Sequence, residues 1–325
     1  MNYNGAIFTI SLDFELYWGM KDVISEERYK ENLEGTAYAV SQILKLFSQY
    51  EIHATWAVVG FLYFKDRNTL MQNLPKNYPE YEDENIDLYK YIRNNTHLNK
   101  NSHFAPEIIE IISKSKNQEI ATHTFSHFYT LEKGQNERLF KEDLISAIKV
   151  SKTKLHSIVF PRNQCNDDYL ETLLELGIRA YRGNEKSWMY KSVNFKEKTS
   201  YGQKLARIVD TYIDISSHNT YSPDEIAKKR PYNIPASRFL RPYDPKLAFL
   251  DKIKISRIKK DMLYAAKNAR VYHLWWHPHN FGSHTTKNLK TLEEILEYYL
   301  TLKSLYNFKS MNMKEIADLL DKNHK

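Results

Sequence analysis

The sequence predicts an α/β protein built on a parallel β-sheet or barrel. Short apolar runs, typical of buried strands, alternate with stretches of helical periodicity, as in a series of β–α units. The chain has 325 residues, of which 42% are apolar, enough for one large core of this kind. We therefore expect a single domain that spans residues 1–325.

The first strand is predicted at Ile7–Leu12, ahead of a helix in Ala37–Tyr50, where apolar residues recur at helical spacing. The second strand lies in His53–Phe61, an apolar run typical of a strand buried on both faces. Pro106 marks the first turn of another helix. A third strand then ends at His123.

The alternation continues in the second half of the chain. A helix within 143–155 leads to a fourth strand that ends at Pro161, and 178–183 is the predicted fifth strand. A late strand at 269–277 precedes a long helix at 292–305.

Two polar segments, at about 65–104 and 189–268, interrupt this pattern. The first is rich in Asn and Lys, and the second contains a stretch dense in Pro and Arg. Because neither resembles a low-complexity linker, we interpret both as insertions on one domain, near the rim of the active site.

Composition excludes several classes of protein. The net charge is +7, but the lysines are scattered, which argues against a nucleic-acid-binding protein. No signal-peptide pattern is visible, and no apolar run approaches the about 18 residues that span a membrane. The single cysteine, Cys165, excludes an intrachain disulfide and is expected to pack as a small apolar residue. We expect a cytoplasmic protein, and the sequence does not indicate its oligomeric state.

The end of the first strand carries two carboxylates, in the stretch "IFTISLDFELYWG". Strand alternation sends Asp13 and Glu15 to the same face. In a partly apolar setting they repel each other, so one pKa rises unless a cation lies between them. The simpler alternative to a cation site is that the strand ends in solvent and both carboxylates are hydrated.

Two histidines follow the third strand in "ATHTFSH". His123 and His127 are four residues apart, but the Glu of the zincin motif is absent because Thr124 follows His123. On a tight loop the two rings can still converge on one ion. Two histidines and one carboxylate form the three-ligand site of a catalytic zinc or a similar metal.

Two further clusters end predicted strands. Arg162 in "VFPRNQ" is either a surface arginine or a bidentate partner that keeps Asp13 ionised and oriented. His277 in "HLWWHPHNFG" is a candidate catalytic histidine, and His273 and His279 are rivals that spacing does not separate. All four clusters fall at the carboxyl ends of predicted parallel strands, where α/β folds build active sites.

These motifs resemble those of the polysaccharide deacetylase family (carbohydrate esterase family four). "TISLDFELYWG", "HATWAVVG", "THTFSH", "VFPRNQ" and "WWHPHNF" occur in the family's order, from about Ala6 to Gly282. The resemblance implies a distorted (β/α) barrel and a metal-dependent hydrolase that removes an N-acetyl group from an amino sugar or glycan precursor. Zinc is the implied metal, with cobalt or nickel as alternatives.

The resemblance also implies roles for individual residues. Asp13 would be the general base, Arg162 would orient it, and His277 would be the general acid. The implied metal ligands are Glu15, His123 and His127.

The sequence departs from the family pattern in three places. Phe14 separates the two acids of the first motif, and the third motif reads Pro-Arg instead of Arg-Pro-Pro. The fourth motif has only a weak candidate, formed by Glu185 and Trp188.

Two other functions stay open. The same groups serve a hydrolase of another C–N bond, such as a formyl, cyclic or non-sugar amide, and a non-catalytic carbohydrate-binding relative would share the fold. The absence of an export signal favours a nucleotide-linked or lipid-linked sugar as substrate. Arg238 and Arg241 either bind a phosphate or uronate on it or are ordinary surface arginines.

Overall fold

A single sheet of nine parallel strands organises the protein; the computed structural model describes residues 5–192 and 201–323. The strands are β1 (Ala6–Phe14), β2 (Ala54–Val58), β3 (Gln118–Thr122), β4 (Ser157–Val159), β5 (Ala180–Arg182), β6 (Tyr232–Asn233), β7 (Arg238–Phe239), β8 (Val271–Trp276) and β9 (Phe308–Ser310). Their order is β6-β5-β4-β3-β2-β1-β8-β7, and β9 pairs with the start of β1. In the described chain this order does not close between β6 and β7. The predicted fold, a distorted (β/α) barrel, is confirmed.

Twelve helices of the described chain pack around the sheet. They are α1 (Glu26–Gln49), α2 (Arg67–Met71), α3 (Leu88–Asn94), α4 (Lys100–His103), α5 (Pro106–Lys114), α6 (Glu137–Ser151), α7 (Leu170–Glu175), α8 (Tyr201–Asp210), α9 (Pro223–Ala227), α10 (Asp251–Lys267), α11 (Thr285–Leu305) and α12 (Met313–Asn323). None of these helices is both long and apolar enough to cross a membrane.

Strand β1 is the centre of the sheet and is buried along its whole length. It pairs with β2 through Ile10–Phe14 and with β8 through Ile7–Leu12. Because all the paired strands are parallel, their carboxyl ends meet at one edge. The ends of β1, β3, β5 and β8 therefore deliver side chains to a common place.

The predicted strands agree with the structure in position, and the largest difference concerns a helix. Helix α1 begins at Glu26 instead of the predicted Ala37. Glu26 and Glu27 occupy its first turn, where carboxylates are stabilised by the helix dipole. Because the first part of the helix is mostly polar, apolar periodicity does not predict it.

The segments predicted as insertions contain ordered elements. The segment at 65–104 holds α2, α3 and α4, whereas the segment at 189–268 supplies β6 and β7 to the sheet. Part of the second segment, 193–200, lies outside the described residues. The division into one domain with two insertions stays a prediction.

Candidate active site

The carboxylates of Asp13 and Glu15 lie at the carboxyl end of β1, and each residue is only 3% exposed. The chain leaves the strand through Leu16, whose φ of 49° is left-handed, into a 3-10 helix. At Gly19 an added Cβ would lie 2.1 Å from the carboxyl carbon of Glu15. The turn can therefore close over this carboxylate only because residue 19 has no side chain.

The loop after β3 carries the two motif histidines. Asp143 on α6 accepts hydrogen bonds from the backbone N–H groups of Phe125 and Ser126, at 2.6 and 3.2 Å, and binds the Ser126 hydroxyl. His127 itself has a left-handed φ of 57°. The clamp and this turn bring the rings of His123 and His127 onto one side, with their centroids 5.1 Å apart.

Both rings point at Glu15. The Oε2 atom of Glu15 lies 3.1 Å from Nε2 of His123 and 3.0 Å from Nε2 of His127. His123 donates its Nδ1–H to the Val159 carbonyl at 2.8 Å, so the neutral ring has a lone pair at Nε2. A nitrogen lone pair and a carboxylate oxygen repel each other at this distance, and a cation between them would remove the repulsion. These three residues therefore fit a divalent metal ion.

Asp13 is paired with an arginine that the sequence analysis did not select. Arg182, at the end of β5, donates two hydrogen bonds of 2.7 Å to the two carboxylate oxygens. The same guanidinium donates to Ser11 Oγ and Asn163 Oδ1 and lies 4.1 Å from the centre of the Trp275 ring. Burial raises the pKa of Asp13, but the charge and hydrogen bonds of Arg182, together with the nearby His123 and His277, outweigh this and hold the pKa below its usual value. Asp13 is thus a carboxylate at neutral pH.

The structure contradicts the expected pairing of Arg162 with Asp13. Arg162 follows β4 in a left-handed conformation, with φ 53°, and forms an ion pair with Asp22. Its guanidinium also lies 5.8 Å from the centre of the Tyr129 ring. Arg182, on the neighbouring strand, takes the place beside Asp13.

His277 faces both carboxylates. Its Nε2 lies 3.5 Å from Glu15 Oε1 and 3.9 Å from Asp13 Oδ2, and its side chain is 23% exposed. Burial lowers the pKa values of His273 and His279 to about 3, so both rings are neutral. Of the three rivals, His277 alone combines solvent access with a position beside the acids.

Solved structures resemble this fold over nearly the whole chain. A protein described as a polysaccharide deacetylase from Mycobacterium smegmatis has a TM-score of 0.61 at 13% identity, over 100% of this chain and 93% of that one. A protein with the same description from Pseudomonas aeruginosa has a TM-score of 0.57 at 12% identity, over 99% of this chain and 93% of that one. The chain has the polysaccharide deacetylase fold.

Puue allantoinase has a TM-score of 0.54 at 13% identity, over 100% of this chain and 93% of that chain. No protein-family model matches the sequence, and no curated protein matches it significantly. At these identities the comparisons establish the fold alone, because one fold can carry different reactions.

Two residues outside the predicted set orient His277 within the deacetylase fold. The side-chain amide of Asn280 lies 3.4 Å from His277 Nδ1, and the Tyr29 hydroxyl donates to Asn280 Oδ1 at 2.6 Å. This relay holds the ring so that Nε2 faces the carboxylates. Tyr29 lies on α1, far away in the sequence, and nothing local marks it.

The residues of the candidate site that were not predicted differ in whether the sequence contained a signal for them. Arg182 ends the predicted fifth strand, as Arg162 ends the fourth, so its position was a usable signal. Asp143 and Tyr29 carry no such signal because their partners lie on other elements. Of the fourth-motif candidates, Glu185 is buried, and burial raises its pKa. Trp188 is 62% exposed.

Proposed function

We propose that the protein is a metal-dependent hydrolase that removes an N-acetyl group from an amino sugar or glycan precursor and releases acetate. One observation carries this proposal. A carboxylate kept ionised by Arg182, that of Asp13, lies beside a buried three-residue set that fits a metal ion. His277 faces the same centre, so groups suited to act as a base, as metal ligands and as an acid lie together, which supports the proposal.

The residues that would hold the ion are Glu15, His123 and His127. Their two imidazoles and one carboxylate suit zinc first, and cobalt or nickel next. When bound, a divalent cation polarises an amide carbonyl and lowers the pKa of water from 15.7 towards about 7.

Asp13 and His277 move the protons. Asp13 accepts a proton from the attacking water, and its pairing with Arg182 keeps it ionised beforehand. His277, in its imidazolium form, gives the Nε2 proton to the departing sugar nitrogen and becomes neutral, since an amine anion is a very poor leaving group. Water adds to the acetyl carbon, the C–N bond breaks, and the products are acetate and a free amino sugar.

The test is the metal content of the purified protein, combined with acetate release from N-acetylglucosamine oligomers. Release should stop when a chelator removes the metal and return when zinc, cobalt or nickel is added back. Bound metal without acetate release would contradict the sugar substrate, and failure to bind any metal would contradict the assignment of the three ligands.

A hydrolase of another C–N bond is the second candidate, because the allantoinase has a similar fold. The catalytic groups act on any amide, so small linear and cyclic amides should be assayed beside the oligomers. Faster turnover of such amides than of acetylated sugars would favour this candidate. A non-catalytic carbohydrate-binding protein has no chemical need for the complete set of groups.

A further inference from the structure

Two arginines beyond the catalytic centre are linked through one threonine. Arg241 donates from Nε to Thr211 Oγ1 at 2.8 Å, and Thr211 Oγ1 donates to the Arg207 carbonyl at 3.0 Å. Arg207 on α8 donates from Nε to the Met189 carbonyl at 2.5 Å. Arg207 also donates from an outer nitrogen to the Lys191 carbonyl at 3.5 Å. Within residues 5–192 and 201–323, the outer nitrogens of Arg241 stay available to a ligand.

Neither guanidinium forms an ion pair with a carboxylate among residues 5–192 and 201–323. Their neighbour Arg238 differs, because it pairs with Asp261 and Asp210 and is only 3% exposed. Burial lowers the pKa of Arg241, and the Arg207 charge lowers it further. Burial likewise lowers the pKa of Arg207, although the Glu185 charge partly opposes this. Two half-buried cations near each other are unfavourable, and a bound anion would relieve the repulsion.

The pair borders the candidate active site. Strand β7 runs beside β8, with Phe239 opposite Trp275, and Leu240 N–H donates to the Trp275 carbonyl at 2.8 Å. This register places Arg241 level with His277. The ring of Phe239, two residues earlier, lies 5.7 Å from the His277 ring. A substrate held at His277 would therefore have Arg241 beside it.

We propose that Arg207 and Arg241 form a subsite for an anionic group, phosphoryl or carboxylate, on the acetylated sugar. Guanidinium groups match the oxygens of both anions through paired N–H donors. The identity of the sugar rests on the proposed function, whereas binding of the anion does not. Arg238, the other arginine raised by the sequence, is held in the buried ion-pair network and is not part of this subsite.

The first experiment is calorimetric binding to the chelator-treated, metal-free protein at fixed low salt. The probes are N-acetylglucosamine, N-acetylglucosamine 1-phosphate and N-acetylmuramic acid, which are neutral, phosphorylated and carboxylated. At least one anionic probe should bind tenfold or more tightly than the neutral sugar, and the preferred one identifies the anion. Equal affinity for all three probes would overturn the subsite.

The second experiment repeats the titrations with Arg207→Gln and Arg241→Gln. Each change should reduce the preference for the anionic probe at least tenfold, and Arg241→Lys should retain part of it because the charge remains. Arg138→Gln is the matched control, since Arg138 lies on α6 with a 79% exposed side chain. If a Gln variant does not fold, judged by its melting temperature, the corresponding Lys variant decides. A preference kept in the folded variants would overturn the proposal.

The two proposals can fail separately, because this binding is measured without metal and without turnover. If the anionic preference is missing while acetate is released, the subsite is wrong and the hydrolase stands. If the preference is present without any acetate release, the subsite stands and the proposed reaction is wrong.

Discussion

The two halves of the candidate site differ in how their parts are spread along the chain. In the metal half, His123 and His127 come from one short loop and meet Glu15 at about 3 Å. In the proton-transfer half, Asp13 is held by Arg182, which lies 169 residues later. The His277 relay ends at Tyr29, 251 residues from Asn280.

This difference shows which parts of the candidate site can be predicted from the spacing of residues in the sequence. Metal ions bind only a few types of side chain, and a short loop fixes the spacing of the two histidines. The metal half can therefore be recognised as a sequence motif. Any strand end along the shared edge can supply a cation to Asp13. Arg162 follows strand β4 and Arg182 ends the adjacent strand β5, and only Arg182 pairs with Asp13.

The largest effect is expected from Asp13→Asn. The amide cannot accept the proton of water, so kcat should fall by about 10²- to 10⁴-fold, while the bound metal stays near one equivalent because Asp13 is outside the ligand set. Acetate release and metal content by mass spectrometry measure the two quantities. This outcome would separate the two halves of the site.

Asp168→Asn is the control for this prediction, because Asp168 is an exposed acid at the start of a surface helix. It should leave kcat unchanged. Near-native turnover in Asp13→Asn would show that another group is the base, and loss of the metal would show that the two halves cannot be separated.

Most of the strand pattern could be predicted from the sequence, whereas the contacts of the candidate site could be predicted only where one local motif supplies the residues. The strand positions followed from apolar runs such as His53–Phe61, because strands buried on both faces carry few polar residues. Arg182 was not identified, because its role depends on the order of the strands in the sheet. Asp143 was not identified either, because it acts on the backbone of a loop from a separate helix.

Arg182→Gln should have the second largest effect. Without the guanidinium, burial still raises the pKa of Asp13, and only the nearby His123 and His277 oppose it. The active form is the carboxylate, so the acid limb of the kcat/KM profile should move up by about one pH unit or more, in line with the 1–3 units that an adjacent arginine supplies. After a shift of about 1–3 units Asp13 is still mostly ionised at pH 7, so the loss of activity should increase as the pH falls below 7. A pH–rate profile on folded protein measures the shift.

Arg162→Gln is the comparison that makes this prediction specific. Arg162 pairs with Asp22 in the structure, so its removal should leave the acid limb in place. If the limb moved in Arg162→Gln and not in Arg182→Gln, the assignment made from the sequence would be right and the correction would be wrong.

Asp143→Ala tests whether the loop clamp supports the metal half. The variant leaves the N–H groups of Phe125 and Ser126 without their acceptor, so the metal affinity should fall about 10- to 100-fold, as for other outer-shell residues. The free energy of unfolding should fall by about 1–3 kcal/mol. Competition with a chromophoric chelator and denaturant unfolding measure these effects.

Glu142→Ala is the matched control on the same helix, because its carboxylate binds Asn77 and Arg138 at the surface. It should leave the metal affinity unchanged. An unchanged metal affinity in Asp143→Ala would mean that the loop keeps both histidines in place without the clamp.

The smallest effect belongs to the relay behind His277. Asn280→Ala should lower kcat by several-fold with little change in KM, because the ring loses its orientation and the substrate loses no contact. Tyr29→Phe should have a weaker effect in the same direction, since it removes one hydrogen bond of about 1 kcal/mol. Tyr38→Phe, at an exposed position on the same helix, should have none. If Tyr29→Phe and Asn280→Ala matched this control in kcat, His277 would be held by its own strand, and the long-range half of the site would reduce to the Asp13–Arg182 pair.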